Sequence, residues 1–143
     1  MKPAILAAIC LPFLVGCATI RHSTSFHNVK VENDEQPLEV VEIENSGWLA
    51  FKCIPLASGN PQKPNQLSCR WFSNTVTLQN NLNLLEQEMN AKGATRFTNL
   101  TSRNSEESFL FILLTRKAYH TSAVLLKDVD TQTPTDGQKE TAK

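Results

Sequence analysis

Excess charge, glycine and long apolar runs are all scarce in this chain. Its 14 Lys and Arg balance 14 Asp and Glu, so no net field draws a nucleic acid and no nucleic-acid partner is expected. Five glycines in 143 residues leave no glycine-rich phosphate loop, and neither a Gly-x-Ser-x-Gly elbow nor a His-Glu-x-x-His pair occurs. No nucleophile, base and oxyanion donor are assembled by sequence, so no catalytic residue and no cofactor are assigned, and an enzyme is not expected. Four cysteines are too few for a disulfide-dense scaffold. They lack zinc-finger spacing, and no metal site is assigned. The uncharged N-terminal stretch, Pro3 to Gly16, has 14 residues, short of the ~20 that span a bilayer.

What is present begins with that stretch. A positive start at Met1-Lys2, a short apolar middle and small residues at its end describe an export signal over residues 1–16. It has no polar face to show to solvent, which argues against the first helix of a globular domain. The stretch closes on Leu14-Val15-Gly16-Cys17, which resembles the lipobox of bacterial lipoproteins. The resemblance implies cleavage between Gly16 and Cys17, a diacylglyceryl group on the Cys17 thiol and acylation of the freed amine. Two or more chains give stable anchoring, each buried CH₂ contributing ~0.8 kcal/mol. Ala18 and Thr19 stand where Asp favours inner-membrane retention in Gram-negative members. The resemblance therefore implies a lipid anchor at the outer membrane, facing the periplasm. The role expected for such a chain is non-catalytic, binding or structural, in the cell envelope, with an envelope protein or peptidoglycan as the partner.

The rest of the chain divides by composition. Residues 17–37 are mostly polar and read as a tether, of which the 19 residues Ala18–Gln36 reach ~60 Å when extended. Residues 128–143 have almost nothing to bury and read as disordered. Residues 38–127 are the expected domain. Leu38–Glu44 and Trp48–Leu56 read as a hairpin around the turn signal Asn45-Ser46-Gly47. A Pro-containing loop follows, Ser58–Asn65. Leu78, Leu82, Leu85 and Met89 step by four, three and four, predicting one face of a helix capped by Thr77 or Thr75 and stopped by Gly93. Thr95–Ser102 reads as a strand and Asn104–Glu107 as a turn. Phe109–Leu114, six apolar residues, reads as a central strand buried on both faces, and Ala123–Leu126 fits a strand or a short helix. The sum is an α+β fold, β-β-α-β-β, one antiparallel or mixed sheet with one amphipathic helix.

Cys53 and Cys69 remain once Cys10 leaves with the signal and Cys17 takes lipid. An oxidising compartment predicts a disulfide between them, closing about 16 residues and contributing ~3 kcal/mol. They lack the Cys-x-x-Cys spacing of a redox pair, and a metal site with His120 would have no two ligands close in sequence. Trp48, Trp71 and Phe72 flank the Pro-containing loop. They are a possible binding surface, or else simply cover the core. His120 is the residue on which an alternative reading, a small periplasmic hydrolase, would rest. Lys92-Gly93-Ala94 with Asn99-Leu100 resembles the small envelope α/β domains of the RcsF-like and YbjQ-like families over residues 78–102. That resemblance implies a further alternative, an envelope stress sensor, although RcsF-like members carry two disulfides and this mature chain has cysteines for one.

Overall fold

A 16-residue strand, β2 (Glu35–Ala50), is the spine of the molecule. Val41, Ile43 and Asn45 alternate along one face and are fully buried, while Glu42 between them is exposed. The computed structural model describes residues 16–26, 35–109 and 113–128. Around β2 stand β1 (Ala18–Ser23), β3 (Ile54–Gly59), β4 (Cys69–Trp71), β5 (Arg96–Phe109) and β6 (Leu114–Asp128). All pairings are antiparallel, in the order β4-β3-β2-β6-β5, with β1 also on β2. β1 and β3 share one edge of β2: β3 lies opposite Gly47–Ala50 and β1 opposite Val40–Asn45. The start of β1 therefore meets the end of β3, and Gly59 lies against the Cys17 and Ala18 backbone.

Among the described residues one helix, α1 (Leu78–Lys92), covers one face of the sheet. The Thr77 side chain accepts the Asn80 N–H, and Gly93 at φ 66° ends the helix in the left-handed region where a Cβ is disfavoured. Leu84 and Leu85 pack on Ile20, Val41, Ile43, Ala123 and Leu125, the central core. Burial of these side chains is the main stabilising term, about 1.5–3 kcal/mol for each large one. Asn81, fully buried, donates to the Ile43 and Tyr119 carbonyls and to Thr121 Oγ1, tying the helix to β2 and β6.

Among the described residues the coarse expectation, a single antiparallel sheet with one helix, holds. The element order differs in several places. The segment read as a tether contains β1, because Ala18 and Ile20 alternate with polar neighbours and find an open edge on β2. Asn45-Ser46-Gly47 is not a turn. Its side chains are used across layers: Asn45 Nδ2 donates to the Thr75 carbonyl, and a Cβ at Gly47 would strike Val76. The reversal comes later, at Phe51-Lys52-Cys53. Asn104–Glu107 is also strand, since Glu106 pairs with Lys117 and Glu107 with Arg116 in a charge-complementary ladder. Phe109–Leu114 is not a central strand: β5 ends at Phe109, β6 begins at Leu114, and residues 110–112 lie outside the described residues. Ala123–Leu126 is strand. The buried helix stripe is Asn81, Leu84 and Leu85, with Leu78 at 40% exposure. The export signal up to residue 15 and the tail beyond 128 also lie outside the described residues.

The expected Cys53–Cys69 disulfide is corrected by the register. Cys69 pairs with Gly59 at the end of β3, whereas Cys53 precedes the first residue of β3. Six residues of extended chain put them roughly 20 Å apart, far beyond the ~7 Å Cα separation a disulfide spans. Both thiols are free.

Candidate functional site

The face of the sheet away from α1 carries an open cleft of about 330 Å³. Two rungs of the ladder build it. Thr19, Glu44, His120 and Arg103 stand side by side on β1, β2, β6 and β5, and Arg21, Glu42, Ser122 and Thr101 form the next rung. Period-2 alternation sends these polar residues outward while Ile20, Val41, Ile43 and Ala123 turn toward the helix. Glu44 pairs with Arg116, whose Nη2 lies 3.4 Å from Oε1, and His120 Nδ1 stands 4.0 Å from Oε2. Arg21 and Arg103 make no ion pair among the described residues. The cleft thus has a carboxylate floor at Glu42 and Glu44 with a guanidinium on each outer strand, an arrangement that accepts a polar ligand of both charge signs. No hydroxyl among the described residues hydrogen-bonds His120.

Cys17, the residue the lipobox-like run marks, sits on this same face at the edge of the sheet. Its carbonyl accepts the Ser46 N–H at 2.8 Å, and its own N–H lies 3.3 Å from Ser46 Oγ. Gly16 is buried beside it, and a Cβ at that position would lie 2.5 Å from the Ser46 carbonyl oxygen. The loop 60–68 closes over the outer edge of β1: Asn65 N–H donates to the Ala18 carbonyl, and Asn65 Oδ1 accepts the Ile20 N–H at 2.8 Å. The Pro-containing loop therefore acts as a clamp on the segment that follows Cys17.

The aromatic trio is split. Trp48 is half-buried and its ring meets Phe109 at 5.5 Å, whereas Trp71 is exposed and Phe72 is 76% exposed. Cys53, Cys69 and His120 are not brought together. A cluster the sequence did not disclose joins His22, Glu39 and Glu88, whose ligand-capable atoms lie within 4.8 Å of one another. Lys92 Nζ stands 3.2 Å from Glu39. With an ammonium against the Glu39 carboxylate, the group reads as a polar latch binding β1 and β2 to α1. No helix among the described residues is long and apolar enough to cross a membrane. Compared with known proteins, the chain matches no family model, no curated protein and no solved structure.

Proposed function

We propose that this protein is an envelope lipoprotein anchored through Cys17 to the outer membrane, with a non-catalytic binding role on the periplasmic side. The observation that carries it is the run Leu14-Val15-Gly16-Cys17 after a short apolar stretch, directly followed by strand β1. The fold supports it at atomic scale. The slot at position 16 accepts glycine and no side chain. An acyl amide on the Cys17 nitrogen has the same CH₂–C(=O)–NH sequence of atoms as Gly16, so a fatty chain enters where glycine did. The amide keeps the N–H that faces Ser46 Oγ.

The cleft between Arg21 and Arg103 is the ligand-binding part of the reading. Its alternating charges suit a short peptide bearing both carboxylate and amine groups, as in the cell wall, or an extended segment of an envelope protein. Mass spectrometry of the purified protein tests the anchor. A mature chain beginning at an acylated Cys17 is expected, with loss of detergent-phase partitioning in Cys17→Ser. An intact leader, or a Cys17→Ser variant that partitions like the parent, overturns it. Titration with soluble cell-wall peptides tests the ligand, and Arg103→Ala is expected to weaken binding about tenfold. The alternative hydrolase draws on the same cleft, because His120 and Glu44 both line it. It requires turnover that His120→Ala abolishes.

A further inference from the structure

We infer that the end of the sheet bearing Phe51, Ile54, Trp71, Phe72, Phe109 and Leu113 rests in the bilayer, in the leaflet that holds the Cys17 lipid. The inference rests on the anchoring reading above and adds a second, non-covalent membrane contact.

Three observations meet at this end. First, these six are among the large hydrophobic side chains left exposed, and the fold gathers them. Phe51 N–H donates to the Leu113 carbonyl across the two hairpin ends, Phe109 pairs with Leu114, Ala50 pairs with Ile54, and Phe72 N–H donates to the Leu56 carbonyl. Phe51 and Phe72 are held at φ 51° and 55°, a region that bulky side chains rarely occupy. Two phenylalanines kept there and left in solvent are hard to account for by folding alone.

Second, the chain direction aims the anchor at the same end. β1 is antiparallel to β2, with Ser23 opposite Val40 and Ala18 opposite Asn45. Followed backward, β1 runs toward the Phe51 turn. Cys17 lies beside Ser46, four residues short of Ala50, or about 13 Å from the tip. A headgroup layer of about 5–8 Å on each side of the hydrocarbon leaves the tip about 5–8 Å into the acyl boundary. That is the depth at which interfacial elements settle.

Third, the charge fits. No Asp or Glu occurs in residues 45–85, or between Glu107 and Asp128. Lys52 and Arg70 lie near the apolar end, while Arg116 and Lys117, further from the tip, are paired with Glu44 and Glu106. An apolar tip with no carboxylate in its turn and two cations beside it suits a phospholipid surface containing anionic headgroups.

The test uses the acylated full chain, purified from membranes and reconstituted in phosphatidylethanolamine–phosphatidylglycerol vesicles with brominated upper acyl chains. Trp48→Phe leaves Trp71 as the only reporter, and Trp71→Phe leaves Trp48. Trp71 emission is expected to fall by half or more, with a smaller effect on Trp48. Phe51→Asn with Phe72→Asn is expected to abolish the quenching while the protein stays vesicle-bound through its lipid. Asparagine tolerates positive φ better than phenylalanine, so this variant keeps its fold. Unquenched Trp71 in protein that mass spectrometry shows to be acylated overturns the contact and leaves the anchor standing. Crosslinking from position 71 in cells to a protein, without lipid quenching, assigns the surface to that protein and overturns it too. An unmodified Cys17 thiol in the sample overturns both the anchor and the contact.

Discussion

Asn81 shows how much a single polar residue can fix in a small core. Its amide nitrogen donates to two main-chain carbonyls and one hydroxyl, and its Oδ1, like Asn45 Oδ1, is buried without a partner. Asn81→Asp would turn a carboxylate toward the Ile43 and Tyr119 carbonyls, with only Thr121 able to donate. It is expected to cost about 3 kcal/mol or more, read as a lowered urea midpoint. Asn81→Leu removes the orphaned oxygen together with the donors, and its expected loss is smaller, about 1–2 kcal/mol. If the aspartate variant were as stable as the leucine variant, the arrangement of partners around Asn81 would be wrong. The cysteines give a second test. With Cys53 and Cys69 at opposite ends of β3, Cys53→Ser with Cys69→Ser is expected to stay within about 0.5 kcal/mol of the parent. A disulfide closing that loop would make the loss ~3 kcal/mol. Reductant is likewise expected to leave the urea curve unmoved.

At the scale of elements, the sequence was most readable where local rules act alone. The helix shows this: Thr77, the leucine spacing and Gly93 define its start, face and end without help from the rest of the chain. Turn signals failed where tertiary contacts took over the same residues. Asn45, Ser46 and Gly47 have turn chemistry, but the fold uses them to hold Thr75, Cys17 and Val76. Phe109–Leu114 has the composition of a buried strand, and only the register reveals a hairpin end. The cleft was illegible for a similar reason: Arg21, Glu44, His120 and Arg103 are scattered along the chain, and four paired strands make them neighbours. Of the four, only His120 stands out from the sequence alone. The clamp on β1 can be tested as an element. Asn65 has φ 59° and accepts the Ile20 N–H. Asn65→Ala loses the acceptor and strains the backbone, for an expected cost of about 1–2 kcal/mol. Asn65→Gly loses only the acceptor and is expected to cost less. In both, the Ile20 amide should exchange hydrogen faster while the amides of β6 hold their protection. Uniform loss of protection across the sheet would show that β1 is not a separately clamped strand.

For the whole molecule, the consequence of β1 is mechanical. A tether would let the domain move freely up to ~60 Å from its anchor. A strand that starts one residue after the proposed lipid site makes the sheet itself the link, through six residue pairs to β2, the Asn65 clamp and the His22–Glu39–Glu88 latch. Breaking the backbone beyond β1 should therefore not free the domain. A site for a sequence-specific protease, inserted after Phe26 in the membrane-anchored protein, is expected to be cut without release, the severed β1 remaining as a non-covalent strand of the sheet. The cut domain should sediment with membranes in buffer and appear in the supernatant once urea melts the sheet. Weakening the hold by Asn65→Ala or Glu39→Ala should shift release to lower urea, because each removes a contact between β1 or its latch and the body of the fold. Prompt release on cutting, in plain buffer, would mean that residues 18–23 act as a leash after all, and that the domain does not ride on its anchor as one rigid body.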